Sequence, residues 1–356
     1  MRIVITGASG NIGTALLREL DSSWEVTGVA RRVPDLTAEP YANVSWLHLD
    51  LGEPGAEEAL ARAFAGADAV VHLAWAISPV WDEPAMWRTN QDGTRHVLDA
   101  AAKAGVGHVV CASSVAAYGP GPRDEKVAEE FPRAGVPASA YSRGKAELEE
   151  VLDAFVETHP EIELARIRPC AVLQRPAAGE FTRWLLGPLI SPGLLGGRLL
   201  PVPLWDGLRV QAVHSDDVAS ALRLILEQRA VGPFNLAAPD VLDANALARL
   251  FGGARVPVRK SVARFVARVA WTAGLQPLHP GWLELADRAA LVDTTRAEVV
   301  LGWQPRHSTE DTLAELVDGL RAKAAGASPP LARASAGWRT RVRALGRLRP
   351  THQSQA

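Results

Sequence analysis

Near the middle of the chain, Tyr141-Ser142-Arg143-Gly144-Lys145 sets a phenol and an ammonium four residues apart. At helical spacing the two fall on one face. A free tyrosine ionises near pH ~10, too high for useful acid–base work at neutral pH. A neighbouring cation favours the phenolate and moves that value toward the working range. Ser114, just beyond the apolar run 109–113, is placed to hold a substrate carbonyl or hydroxyl by a hydrogen bond. Tyr-x-x-x-Lys alone is common in helices, so its meaning depends on its company.

The company begins at the first residues. Thr6-Gly7-Ala8-Ser9-Gly10-Asn11-Ile12-Gly13 follows an apolar strand and opens a helix. In that context Gly7 permits a tight turn and Gly10 lets backbone N–H groups approach a pyrophosphate. Gly13 lets the helix pack closely, its N-terminus facing the phosphates. The whole turn, with Ser9, Asn11 and Ile12, is therefore a candidate dinucleotide cradle. After the second strand the chain reads Ala30-Arg31-Arg32, where an NAD site usually places an acid. Two guanidiniums suit a 2′-phosphate, so NADP is expected in preference to NAD; otherwise they are solvated loop charges. Asp50 and Leu51, at the end of the third strand, are expected beside the adenine, with a helix N-cap as the plain alternative for Asp50. Leu73 and Ala74 close the fourth strand against the same groove.

The elements that must position these residues alternate. Strands are expected over 2–6, 24–30, 44–47, 69–73, 108–113 and 164–167, with helices over 12–20, 56–64, 89–104 and 141–158. Near-continuous apolar strands between amphipathic helices predict an α/β fold, a doubly wound parallel sheet of the Rossmann type with six or seven strands. Strands near 210–214 and 233–236 would complete it. Beyond residue 170 the texture changes, and helices over 216–228, 244–251, 262–273 and 309–322 predict a smaller, mostly helical lobe. The expected division is 1–170 for the dinucleotide, 171–323 for the substrate and 324–356 as a basic, flexible tail. Trp338, Val342 and Leu345 of that tail fall on one helical face among arginines, a minor membrane-surface alternative.

Taken together, the motifs resemble the extended short-chain dehydrogenase/reductase family, the group containing NAD(P)-dependent sugar epimerases and dehydratases. The resemblance runs from residue 1 to about 322. It rests on Thr6–Gly13, Val71-His72-Leu73-Ala74, Asn90-Gln91-Asp92-Gly93-Thr94, Ser113-Ser114-Val115-Ala116-Ala117-Tyr118-Gly119, Tyr141–Lys145 and Arg168-Pro169. Val213–Ala219 and Leu301-Gly302-Trp303-Gln304-Pro305 match later landmarks. The resemblance implies that Tyr141 passes a proton to or from a substrate oxygen while hydride moves on the nicotinamide. It implies that Lys145 lowers the Tyr141 pKa and binds the nicotinamide ribose, that Ser114 rather than Ser113 orients substrate, and that Asn90 orders the helix behind the site. A homodimer through helices 89–104 and 141–158 is likewise implied.

Departures narrow the expectation. Val115-Ala116 stand where dehydratases of the family carry Asp-Glu, which removes the acids needed to eliminate water. Ala171 and Gln174 replace an Asn and a Gly usual in nucleotide-sugar enzymes. Trp75, Trp81, Trp87, Trp184 and Trp205 fall in loops near the expected cleft mouth and would line an apolar pocket, or else pack the core. The leading expectation is an NADP-dependent oxidoreductase acting on a carbonyl/alcohol pair in a small, partly apolar substrate. A sugar or polyol epimerase is the second, and a non-catalytic NADP sensor the third.

Bulk properties agree. The chain has 356 residues, 47% hydrophobic and 22% charged, with a net charge of −2. That balance gives no global reason to expect nucleic acid or an anionic membrane as partner. Residues 324–356 hold six Arg and no acid. Cys111 and Cys170, in apolar surroundings, read as buried thiols of a reducing compartment; with no secretory signal visible, a cytoplasmic enzyme without a metal is expected.

Overall fold

The computed structural model describes residues 1–77, 84–185, 200–273, 275 and 278–332. In chain order the first elements are β1 (Arg2–Thr6), α1 (Asn11–Glu19), β2 (Glu25–Ala30), β3 (Ser45–His48), α2 (Ala56–Phe64) and β4 (Ala69–His72). Next come α3 (Pro84–Trp87), α4 (Gly93–Ala104), β5 (His108–Ala112), β6 (Lys126–Val127), α5 (Ala140–Thr158) and β7 (Glu163–Pro169). Then follow β8 (Ala171–Leu173), α6 (Ala178–Leu185), β9 (Leu200–Leu204), β10 (Arg209–Val210), β11 (Ala212–His214), α7 (Ser215–Gln228) and β12 (Gly232–Leu236). The chain closes with β13 (Leu242–Asp243), α8 (Ala244–Leu250), β14 (Gly253–Pro257), α9 (Lys260–Thr272), α10 (Pro280–Arg288), β15 (Leu291–Val292), α11 (Thr295–Leu301) and α12 (Thr309–Ala322).

The main sheet is parallel throughout, in the order β12-β7-β5-β4-β1-β2-β3. Strand order reverses between β1 and β4. A crevice opens there at the carboxyl ends of the strands, where doubly wound sheets bind ligands. β4 and β5 are covered on both faces, which is why Ala69-Val70-Val71-His72 and His108-Val109-Val110-Cys111 are wholly buried. One core lies under α1, α7 and α11, with Ile3, Ile5, Leu16, Leu222, Phe234 and Trp303. The other lies under α2, α4 and α5, with Leu60, Phe64, Leu98, Leu148 and Leu152.

Two expectations are corrected. The strand near 233–236 does complete the sheet, but Ala212–His214 does not join it. β7 already has β5 on one edge and β12 on the other. Among the described residues, the free edge nearby is the continuation at Ala171–Leu173, and β11 pairs there. The helix expected over 89–104 is likewise broken. Arg88–Asp92 forms a π-helical turn and the α-helix proper starts at Gly93. The widened turn frees the Asn90 side chain for the adjoining loop, a use typical of π-bulges near functional sites. The tail residues Trp338, Val342 and Leu345 lie outside the described residues, as does Trp81. Among the described residues, no helix is long and apolar enough to cross a membrane, and no group of His, Cys, Asp and Glu is arranged to hold a metal. Both cysteines are free and buried.

Candidate active site

The glycine turn leaves β1 with Gly7 at φ +74°, and its N–H donates to Val29 O at 2.9 Å. A Cβ on Gly7 would lie 2.7 Å from the Ala74 backbone nitrogen, so the turn and the end of β4 touch backbone to backbone. A Cβ on Gly13 would lie 2.5 Å from Gly7 O and 2.6 Å from Ala8 O. Gly10 caps α1 without any side-chain hydrogen bond, which leaves the first-turn N–H groups for an outside acceptor. An uncapped helix N-terminus after a glycine turn, at the switch point of the sheet, fits a pyrophosphate. Ser9 is buried within the turn, and Ile12 packs on the core beneath it.

The Asn11 side chain faces elsewhere. Its Nδ2 donates to Val172 O at 2.9 Å, and its Oδ1 accepts from Gln174 Nε2 at 2.7 Å and Ser215 Oγ at 3.1 Å. Only the backbone of Asn11 remains for a cofactor. Gln174, buried, also donates to Asn11 O and accepts from Arg18 Nη2 at 2.8 Å. The glutamine read as a missing glycine is thus a clamp between the turn and the segment after β7.

At the neighbouring strand ends Arg31 and Arg32 are exposed. Arg31 Nη1 stands 3.7 Å from Asp50 Oδ2. Asp50 Oδ1 accepts from Gly52 N at 3.1 Å, while α2 starts later with Gly55 at its cap. The helix-cap alternative for Asp50 is therefore not realised. Leu51 is buried beneath Gly93, and its carbonyl accepts from His96 Nδ1 at 2.8 Å. Leu73 packs against the core and Ala74 against Gly7.

Ser139 caps α5, its hydroxyl accepting from Ser142 N at 3.3 Å, which fixes where the helix begins. Tyr141 and Lys145 then share one face. The Tyr141 ring stacks on Trp282 with centroids 5.2 Å apart. Burial raises the Tyr141 pKa, and the neighbouring Ser114 hydroxyl opposes the rise. Ser114 Oγ accepts from Ala116 N at 3.1 Å and donates to Pro169 O at 3.4 Å, while the buried Ser113 lies toward Glu149. Ser114 is thus the serine of this pair that meets the tyrosine.

Lys145 is almost fully buried. Its Nζ donates to Ala112 O at 2.9 Å and lies 3.6 Å from the Trp75 ring centroid. Burial pulls its pKa down to about 7, against the opposing pull of Glu149 and Cys111. The expectation that Lys145 lowers the Tyr141 pKa is not met by the protein alone. The ammonium is held by a carbonyl and an indole face, and burial dominates the phenol.

Glu149, one further turn along α5, is a residue that reading by motif missed. Its carboxylate is fully buried and takes Arg168 in two bonds, at 2.7 and 2.8 Å, and Arg166 Nη1 at 3.0 Å. Burial would raise its pKa, but the arginines outweigh it and hold it at about 2. Arg168 Nη1 also donates to Tyr118 Oη at 2.9 Å, and that phenol donates to Asn235 Oδ1 at 2.7 Å. The signal for Glu149 was its i+4 spacing from Lys145, without which a buried acid looks like any surface helix residue.

The cleft beside Tyr141 is lined by Trp75, Met86, Trp87, Asn90, His279 and Trp282 among others. Asn90 accepts from Ala76 N at 2.7 Å and donates to Ala76 O at 2.9 Å, pinning the loop that carries Trp75. Two expected tryptophans, Trp75 and Trp87, line it. Trp205 is buried elsewhere and donates to Asp287 Oδ1 at 2.6 Å. The Trp184 side chain lies outside the described residues. Trp282 was not singled out, because nothing local marks a C-terminal aromatic as facing Tyr141. His72 is buried between Thr6 Oγ1 and Thr94 Oγ1, its pKa pushed down to about 3 by burial, as a structural histidine. Val115 and Ala116 are buried apolar residues beside Ser114, so no carboxyl adjoins it.

Residues 3–237 match the model of the NAD dependent epimerase/dehydratase family. An uncharacterized protein of Mycobacterium tuberculosis is 28% identical over 326 residues, 91% of this chain but 30% of its own length. The chain therefore spans about a third of that relative. UDP-glucose 4-epimerase of Mycolicibacterium smegmatis is 29% identical over 91% of this chain and 99% of its own. Among solved structures, UDP-glucose 4-epimerase of Thermus thermophilus, in complex with NAD, superposes with a TM-score of 0.65 at 21% identity, covering 90% of this chain and 99% of that one.

Proposed function

The chain belongs to the NAD-dependent epimerase/dehydratase family, and within it we propose an oxidoreductase that moves a hydride between a nicotinamide and a carbonyl/alcohol pair. The approach of Ser114 to Tyr141, whose ring lines an aromatic cleft, carries this reading. Residues 1–170 take the dinucleotide on the α1 N-terminus, and 171–323 supply most of the substrate lobe. Bound dinucleotide supplies the hydride acceptor or donor. Ser114 orients the substrate oxygen, and Tyr141 takes its proton on oxidation or returns one on reduction. Lys145, held at Ala112 O, meets the nicotinamide ribose. Trp75, Met86, Trp87 and Trp282 favour a partly apolar substrate. Ala171, together with Gln174 already engaged with Asn11 and Arg18, speaks against a nucleotide sugar.

The Thermus thermophilus neighbour is in complex with NAD, whereas Arg31 and Arg32 supply two exposed guanidiniums where a 2′-phosphate would sit. We assign NADP as the preferred form on that ground. A homodimer would form through the outward faces of α4 and α5. The second reading, a sugar or polyol epimerase, is favoured by the naming of the relatives as 4-epimerases. A panel of ketones, aldehydes and sugars followed by NADPH absorbance separates the two. Net consumption supports the oxidoreductase, and product isomer without consumption supports the epimerase.

A further inference from the structure

Helix α9 buries none of its residues. Val262, Phe265, Val266 and Val269 recur at i, i+3, i+4 and i+7 and stand 50%, 69%, 57% and 48% exposed. Val256, in β14 before the helix, and Leu275, after it, are exposed as well. Six of the twelve large apolar side chains exposed among the described residues thus fall between residues 256 and 275, and the four on α9 share one helical face. The opposite side of α9 is tied to α10, where Lys260 pairs with Asp287 and Arg264 Nε lies 2.8 Å from Glu284 Oε1. Arg259 and Arg268 flank the ridge. Both are exposed, and neither has an ion-pair partner among the described residues. Residues 244–283 hold six Lys and Arg and no acid, in a chain whose net charge is −2.

We propose that α9 is an interfacial helix that lies in the plane of an anionic bilayer. The Val/Phe ridge enters the boundary of the acyl chains, and Arg259 and Arg268 reach the phosphates. An exposed apolar ridge bordered by Arg259 and Arg268 complements anionic headgroups, whereas an apolar protein groove would not call for the unpaired charge. Docking by α9 also bears on the cleft. Trp271 packs edge-on against His279 with centroids 4.8 Å apart, and His279 and Trp282 line the cleft. The bound protein would hold its cleft close to the headgroup plane, within reach of an amphipathic substrate anchored there.

Co-sedimentation of the full chain with phosphatidylcholine vesicles, and with vesicles that also contain phosphatidylglycerol, tests this. The chain is expected to bind the anionic vesicles and to release at high salt. Phe265→Glu with Val269→Glu should weaken the binding about tenfold or more, and Arg259→Glu with Arg268→Glu should weaken it less, at unchanged melting temperature. The basic segment beyond residue 333 is the same in every variant, so binding that survives both substitutions belongs elsewhere and overturns the proposal. So does a failure of the wild type to bind either vesicle. A concentration-dependent dimer that Phe265→Glu abolishes, with no vesicle binding, would assign the ridge to a second copy and overturn it as well.

Discussion

Lys145 Nζ sits 3.6 Å from the centre of the Trp75 indole while donating to Ala112 O, shut away from water one helical turn after Tyr141. Its folded pKa of about 7 lies below the 10.5 of an exposed lysine. Between those values the unfolded chain still holds the proton that the folded chain has released, so this group makes stability rise with pH. Lys145→Met removes that dependence. Urea unfolding should show wild type gaining on the variant as pH rises from about 7 toward 10.5, by at most ~1.4 kcal/mol per unit. Trp75→Ala should flatten the same dependence by admitting water, and Trp75→Phe should largely preserve it. A pH-independent gap would contradict the buried ammonium.

Glu149→Gln leaves Arg168 and Arg166 buried with their shared carboxylate gone. A loss of about 3–5 kcal/mol is expected, because an uncompensated buried charge is far costlier than a lost surface pair. Asp153→Asn, at the partly exposed end of the same cluster, should cost less than about 1 kcal/mol. Denaturant midpoints measure both, and equal effects would mean that the cluster is not anchored at Glu149.

Gly13→Ala tests the turn itself. The added methyl would meet two backbone carbonyls that cannot swing aside. It should lower stability by about 1–3 kcal/mol and weaken dinucleotide binding more than tenfold. Gly55→Ala, where a Cβ meets nothing, strains only a positive φ and should leave dinucleotide affinity unchanged. Calorimetric titration with NADP and NAD reads both variants.

Arg31→Asp addresses the cofactor. The substitution places a second acid beside Asp50 and should weaken NADP about tenfold or more, with NAD held or improved. Equal wild-type affinities for the two dinucleotides would remove the preference for NADP.

Much of this fold could be read from the chain alone, because parallel strands buried on both faces leave continuous apolar runs and the turn after β1 leaves its glycines in strict local order. Tyr141, Lys145 and Ser114 were legible for the same reason, as short motifs in a fixed sequence. What escaped was set by distant contacts. Whether Ala212–His214 joins the main sheet depends on which edges of β7 are already taken. Gln174 reads as a departure until Asn11 and Arg18 are seen to need it. Trp282 stacks on Tyr141 from far along the chain, with no periodicity to announce it. Glu149 was hidden by its type, since a helix acid looks solvated until two arginines from β7 are found around it.

The central claim is that Tyr141 moves the proton. The direct measurement is turnover by Tyr141→Phe, followed by NADPH absorbance on whichever carbonyl the wild type reduces, with dinucleotide affinity measured on the same sample. The phenol-less enzyme should lose about a hundredfold or more in kcat while binding NADP within about twofold of wild type. Turnover near the wild-type rate would place the acid–base group elsewhere and contradict the account.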